Sequence, residues 1–209
     1  MEVLTLSLGP LGTNCYIIIS AGEALIIDPG GEASKVIEML TSKNATPKAI
    51  LLTHAHFDHI GAVEDLRNHY NIEVYLHENE RDWLLDPQLN GSFKFVGNEI
   101  KTEKPEHYLS EGNLTISSFI FEVRHTPGHS PGSVSFVFEK EQWVFGGDVL
   151  FYGGVGRTDL LGGDMSQLIQ SIQNKFYSLP DDFTVYPGHG PKTSILFEKS
   201  NNPFVPYRV

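Results

Sequence analysis

The segment Thr53-His54-Ala55-His56-Phe57-Asp58-His59 puts four metal-ligand side chains within six positions at the exit of an apolar strand. In an extended backbone, residues two apart point the same way, so His54 and His56 can grip one cation together. Asp58 and His59 then open the next helix, and the change of chain direction turns them toward a second cation beside the first. Imidazole and carboxylate are the donors expected for zinc or a similar first-row ion. Singly, Asp58 would also suit a helix N-cap and each histidine an ordinary polar contact. Their clustering behind a buried strand sets them apart.

Three later donors share one context, a strand running out into a glycine turn. His129 lies in Thr126-Pro127-Gly128-His129-Ser130, Asp148 ends Phe145-Gly146-Gly147-Asp148, and His189 lies in Val185-Tyr186-Pro187-Gly188-His189-Gly190. Each alone is a weak signal; tips of this kind would converge on one edge of a sheet sandwich. Other chemistries are poorly served. Gly128-His129-Ser130-Pro131-Gly132 spells a serine nucleophile elbow, but the residue after the nucleophile must donate its N–H to the oxyanion, and Pro131 has none. Ser130 is expected to shape the turn that aims His129. Cys15 lies in an apolar strand and reads as a small buried thiol. His69, His77, His107 and His125 are expected at the surface or behind the ligands, and no phosphate-cradling or dinucleotide-binding glycine loop is present.

The elements that must position these donors alternate. Glu2 to Leu8, Thr13 to Ile19 and Ala24 to Ile27 read as strands, closed by Asp28-Pro29-Gly30-Gly31. A helix is expected from Ala33 to Ser42, a buried strand at Lys48 to Thr53, a helix from Asp58 to Tyr70 and a strand at Glu73 to Leu76. The pattern weakens over residues 79–110, a loop-rich connection that could lie over a site. Strands resume at Leu114 to Ile120, Phe121 to Arg124, Ser133 to Phe138 and Trp143 to Phe145. A helix follows over Met165 to Phe176, then a strand at Phe183 to Tyr186 and a helix from Ser194 to Asn201. Two sheets packed face to face with helices outside would bury both sets of strands. The expected architecture is therefore one α/β domain over residues 1–209, a four-layer αββα sandwich of two mixed sheets.

Composition narrows the partners. A net charge of −11, from 15 basic and 26 acidic residues, disfavours a nucleic-acid backbone, which needs clustered cations. The apolar runs are strand-length, too short for a bilayer. The N-terminus has no basic segment or small-residue cleavage site, and the single cysteine suits a reducing compartment. A cytoplasmic protein acting on a small molecule, without nucleic acid or membrane, is expected.

His54-x-His56-x-Asp58-His59 followed by His129, Asp148 and His189 resembles the metallo-β-lactamase superfamily in order and spacing over nearly the whole chain. Within it the sequence is most similar to the small glyoxalase II-like (hydroxyacylglutathione hydrolase-like) proteins, through Gly9-Pro10-Leu11-Gly12-Thr13-Asn14-Cys15-Tyr16, Asp28-Pro29-Gly30, Gly156-Arg157-Thr158-Asp159 and Glu198 with Asn202-Pro203-Phe204. The longer glyoxalase II enzymes carry an extra C-terminal helical region that holds much of the glutathione, for which a chain ending at Val209 leaves no room.

The resemblance implies two divalent metal ions, zinc with iron or manganese as alternatives. It places His54, His56 and His129 on one ion and Asp58, His59 and His189 on the other, with Asp148 bridging. It also implies a metal-dependent hydrolase cleaving thioesters of the S-2-hydroxyacylglutathione (S-lactoylglutathione) type by a metal-bridging hydroxide, with Asp58 orienting that hydroxide and accepting its proton. Arg157 either holds a substrate carboxylate or pairs with Asp159 or Asp164. The rival readings are a mononuclear-iron persulfide dioxygenase and a lactonase on the same scaffold. A β-lactamase is disfavoured by the carboxylate bridge, and a non-catalytic metal-binding module by the full ligand set.

Overall fold

Apolar and β-branched residues dominate the first three strands, β1 (Glu2–Leu8), β2 (Thr13–Ser20) and β3 (Glu23–Ile27), which pair as an antiparallel meander. Six consecutive residues of β2 are buried, so this strand is covered on both faces. Helix α1 (Ala33–Ser42) matches its sequence-predicted bounds and turns Val36 and Leu40 inward. It crosses over to β4 (Thr46–Leu51), parallel to β3. Two short helices follow, α2 (Phe57–Ile60) and α3 (Val63–Tyr70), then β5 (Glu73–His77), α4 (Ser92–Phe95) and β6 (His107–Leu109). The six strands form one mixed sheet in chain order.

The second half begins with β7 (Gly112–Ile116) and β8 (Phe119–His125), a hairpin turning at Ser117-Ser118. It continues with β9 (Val134–Phe138), β10 (Trp143–Gly147), a small pair of β11 (Leu150–Phe151) and β12 (Gly154–Val155), α5 (Met165–Ser171), β13 (Thr184–Pro187), β14 (Thr193–Ser194) and α6 (Ile195–Asn201). The second mixed sheet runs β14-β13-β10-β9-β8-β7, with β10 and β13 parallel.

This computed structural model describes residues 1–206. By contacts these fall into two compact units: Met1–Leu109 with the hairpin tip Thr115–Phe119, and Ser110–Leu114 with the residues from Ile120 onward. The first has its own core around Ile17, Ile26, Ile50 and Leu66, the second around Val144, Leu168, Phe176 and Val185. Among the described residues no helix is long and apolar enough to cross a membrane.

The helix expected from Asp58 to Tyr70 is broken in two. At the break Gly61 passes so close to the Gly30 carbonyl that a Cβ there would overlap it, and the Ala62 N–H donates to Pro29 O (2.9 Å). Approach to the Asp28-Pro29-Gly30 turn thus outweighs helical continuity. The helix expected from Met165 to Phe176 widens at Ile172–Phe176 into a π turn, in which Tyr177 N donates five residues back to Ile172 O (2.9 Å). Phe176 there fills the space that Gly146 leaves by lacking a side chain.

Two other glycines are demanded by backbone contact. A Cβ on Gly30 would overlap the Asp58 carbonyl, and one on Gly156 would overlap the Asp148 carbonyl. Each is the carbonyl of an expected ligand. Gly156→Ala is predicted to cost about 3 kcal/mol, as for other backbone-displacing insertions. Gly97→Ala, at φ +67 in open space, should cost about 1 kcal/mol for its left-handed backbone. Denaturant unfolding measures both, and equal costs would rule out the Asp148 contact as the reason for glycine at 156.

Candidate metal centre

In the first unit the ligand loop begins where β4 ends, and its backbone is held by two buried carboxylates and a loop carbonyl rather than by a neighbouring strand. Thr53 N donates to Asp28 Oδ1 (2.8 Å) and Thr53 Oγ1 to Asp28 Oδ2 (2.6 Å). Ala55 N donates to a carboxylate oxygen of the fully buried Glu80 (2.6 Å), and Phe57 N to the Asn90 carbonyl (3.0 Å). His56 is extended (φ −66, ψ 148) and caps α2, which carries Asp58 and His59 in its single turn.

All four donors are buried: His54 and His59 at 0% exposure, Asp58 at 6%, His56 at 7%. His54 and His56 each offer a nitrogen within 4.8 Å of the other's, as do His54 and His59. His59 Nε2 lies 3.5 Å from Asp58 Oδ2, while its Nδ1 meets Asp28 Oδ2 at 3.0 Å. His54 Nδ1 meets the Thr53 hydroxyl at 3.1 Å. When a carboxylate or hydroxyl takes Nδ1, Nε2 is left to face an ion, the usual arrangement behind a metal-bound histidine. Thr13 Oγ1 donates to Asp58 Oδ2 (2.8 Å) and orients that carboxylate.

The second unit presents its donors from adjacent strand tips. Strands β10 and β13 pair in register at Gly147 and Pro187, and Gly188 N donates to Gly147 O (2.8 Å). Asp148 and His189 therefore emerge side by side. His129 stands in the turn after β8, with Nδ1 against the Arg157 carbonyl (2.8 Å). Its Nε2 lies 3.7 Å from Asp148 Oδ2, and His189 Nε2 lies 3.5 Å from the same oxygen.

These spacings test whether the donors fit a metal. A direct N–H···O bond would bring the atoms to 2.7–3.2 Å. Ligands at zinc distances of about 2.0–2.1 Å in tetrahedral array stand roughly 3.4 Å apart. The His59–Asp58, His129–Asp148 and His189–Asp148 distances of 3.5, 3.7 and 3.5 Å match ligands sharing an ion. The donor set is imidazole and carboxylate throughout.

Other expected residues find ordinary places. Arg157 makes a bidentate pair with Asp159 (2.7 and 2.8 Å), whereas Asp164 caps α5 by accepting from Gln167 N. Ser130 meets the Ser133 hydroxyl at 2.7 Å and accepts Gly128 N at its carbonyl, shaping the His129 turn. Glu198, fully buried, accepts from Gly153 N, Thr193 Oγ1 and Asn202 Nδ2 and ties α6 to the β11–β12 turn. His107 pairs with Glu73. Burial, with a smaller push from the Asp28 charge, drives the Cys15 thiol far above its ordinary range, so Cys15 should resist iodoacetamide until the protein unfolds. Modification at the rate of a free thiol in the native state would contradict that burial.

Sequence reasoning gave no role to Glu80 or Asn90 and saw Asp28, Thr13 and Thr53 only as parts of motifs. An aspartate closing a strand before Pro-Gly was a usable signal. Glu80, one acid in the charged run Glu78-Asn79-Glu80-Arg81-Asp82, carried none.

Fold and donors define a metal-dependent hydrolase of the metallo-beta-lactamase superfamily, and the family model for that superfamily matches residues 8–189. The chain belongs to this superfamily, as a glyoxalase II-like member. It is 50% identical over 207 residues to "Probable metallo-hydrolase YqgX" of Bacillus subtilis (strain 168), covering 98% of each chain. It is 40% identical over 196 residues to "Hydroxyacylglutathione hydrolase GloC" of Haemophilus influenzae, covering 92% of each. Among solved structures, the BLEG-1 B3 metallo-beta-lactamase superimposes with a TM-score of 0.95 at 52% identity, over 98% of this chain and 99% of that one. TTHA1623 in a di-iron-bound form gives 0.88 at 39% identity, over 97% and 100%. The metallo-β-lactamase fold, an α/β arrangement of two mixed sheets with helices, is therefore as expected.

Asp28→Ala should leave His59 without its orienting carboxylate and lower metal affinity by about 10–100-fold. Chelator competition measures it. Unchanged affinity would remove Asp28 from the metal's support.

Proposed function

We propose that the donors of the two units together hold two divalent ions: His54, His56 and His129 on one, Asp58, His59 and His189 on the other, with Asp148 between them. The observation that carries this is the single Asp148 Oδ2 standing 3.7 Å from His129 Nε2 and 3.5 Å from His189 Nε2, the position of a carboxylate serving ions on both sides. Zinc suits the donors, and the di-iron form of TTHA1623 supports iron as the alternative.

We infer that the reaction is hydrolysis of a thioester of the S-2-hydroxyacylglutathione class, in the cytoplasm. The likeness to the Haemophilus hydroxyacylglutathione hydrolase at 40% identity supports it. Bound metal supplies water that ionises near neutral pH and an electrophile for the carbonyl oxygen. The chain's own residues do the rest. Asp58, with one oxygen occupied by the Thr13 hydroxyl, is the base that orients the attacking water and takes its proton. Asp28, Thr53 and the Arg157 carbonyl hold the imidazoles in their working tautomers. The thiolate leaves without a strong general acid. Arg157 would exchange Asp159 for a substrate carboxylate.

A second reading, β-lactam hydrolysis, draws on the 52% identity to the BLEG-1 structure. One screen separates the readings: metal-quantified protein is offered S-lactoylglutathione, a β-lactam, a lactone, and a persulfide with oxygen. Thioester cleavage with two ions per chain is expected, with Asp58→Ala losing at least 100-fold in kcat. β-Lactam or lactone turnover without thioester cleavage, or one iron per chain with oxygen uptake, would replace the thioesterase assignment. An Asp58→Ala variant keeping both ions and full rate would remove Asp58 from its role.

A further inference from the structure

Residues 78–102 of the first unit pack onto the ligand loop. The Trp83 ring lies 5.4 Å from that of His56. Asn90 fixes the connection by donating to the Trp83 and Ile100 carbonyls (3.0 and 2.9 Å) and accepting from Ser92 N (2.9 Å). From this base α4 projects between Gly91 and Gly97, both left-handed at φ 85 and 67. The Phe95 ring stacks at 6.0 Å on Phe57, the residue between His56 and Asp58. Ser92 is fully buried at the start of α4, while Phe93 is 58% exposed and Phe95 46%.

The exposed part of the Phe95 ring, stacked on Phe57, is an apolar surface beside the candidate donors, whereas Phe93, two positions back on this one-turn helix, does not share its face. Between the two in sequence sits Lys94, its ammonium 5.3 Å from the Phe95 ring centre. In the same stretch Arg81 pairs with Glu78 and Asp82, and Lys101 with Glu99. Among the described residues no carboxylate pairs with Lys94. Arg157, by contrast, already has its charge matched by Asp159. In a chain of net charge −11, an unmatched cation over an aromatic face is a local attraction for an anion.

We propose that α4 is the platform for the thiol-carrier end of the substrate, with Phe95 lying along its apolar stem and Lys94, over the same ring, neutralising a carboxylate on it. The occupant is a small, carboxylate-bearing thiol. This rests on the thioesterase reading and sharpens it: α4 sets a preference for anionic over neutral thiol carriers. Lys94 and Phe95 are specificity residues and touch no reacting atom.

The test uses metal-loaded protein and two thioesters with the same acyl group, one on glutathione and one on a neutral thiol, with calorimetry of S-hexylglutathione, a thioether that cannot be hydrolysed. Lys94→Gln is expected to raise KM for the glutathione thioester, and Kd for the thioether, by about 5-fold, the worth of one near contact between charges in water. Lys94→Glu should raise both by at least 10-fold and Phe95→Ala by at least 3-fold. The neutral thioester's KM should stay within 2-fold in both Lys94 variants, metal content should be unchanged, and Lys104→Glu, the same charge change on another exposed lysine, should act like wild type. If Lys94→Glu leaves KM and Kd for the anionic ligands within 2-fold, or if wild type does not bind the thioether, the platform is overturned. Lys94-dependent thioether binding by a protein that cleaves neither thioester would keep the platform and overturn the thioesterase reading instead.

Discussion

The backbone of each aspartate proposed as a metal ligand rests against a glycine that cannot be anything larger. Gly30 lies against the Asp58 carbonyl and Gly156 against the Asp148 carbonyl, each at a separation that excludes a Cβ. The constraint is steric, so neither salt nor pH relaxes it. Where it acts, regular structure gives way: the helix after His56 stops after one turn, and the Val155–Arg157 segment runs behind His129 closely enough for the Arg157 carbonyl to take its Nδ1. The two units reach the same arrangement through different elements, a Pro-Gly turn in one and a short strand pair in the other.

Above these contacts lies a layer of buried polar groups whose hydrogen bonds go to the candidate donors or to the loop that bears them. Asp28 is the clearest. It is 1% exposed and left-handed at φ 50, and it accepts from Thr53 N and Thr53 Oγ1 while facing His59 Nδ1. Burying a carboxylate costs several kcal/mol unless its oxygens are met. A left-handed aspartate costs about 1 kcal/mol more. Both costs go into fixing one imidazole and the first residue of the ligand loop. Strain at such a residue is placed where orientation matters.

Much of this was legible in the sequence where burial imposes a period. Helix α1 shows it; strands β2 and β3 were legible instead as continuous apolar runs, and the proposed donors stand out by residue type, three of them in glycine turns. What was not legible depends on partners far along the chain. Nothing local says that Gly61 must meet Gly30, which splits α2 from α3, or that Glu80 reaches back to the N–H of Ala55. The 79–110 stretch read as featureless because its contacts are individual: Trp83 against His56, Phe95 against Phe57, Asn90 bracing carbonyls. None repeats at a helical or strand period. Arg157 shows the converse, since both readings of its side chain were visible but only the structure shows it gripping Asp159.

The charge balance explains how an acidic protein could favour an anionic substrate. With the two proposed divalent ions in place and their bound water not yet ionised, Asp58 and Asp148 offset half of the ions' charge and the buried Asp28 against His59 a further quarter, while the histidines, neutral as ligands, offset none. The centre would then keep a net positive charge within a chain of net charge −11. At physiological salt a charge is felt over about 8 Å, so surface carboxylates beyond that range would scarcely disturb the field at the ions. A carboxylate-bearing thiol ester arriving there would meet an attraction that the net charge of −11 conceals. The same screening means the ions cannot steady a distant end of the substrate. That end needs a cation of its own close by, and Lys94 on α4 is a cation that no carboxylate of the described chain has already claimed.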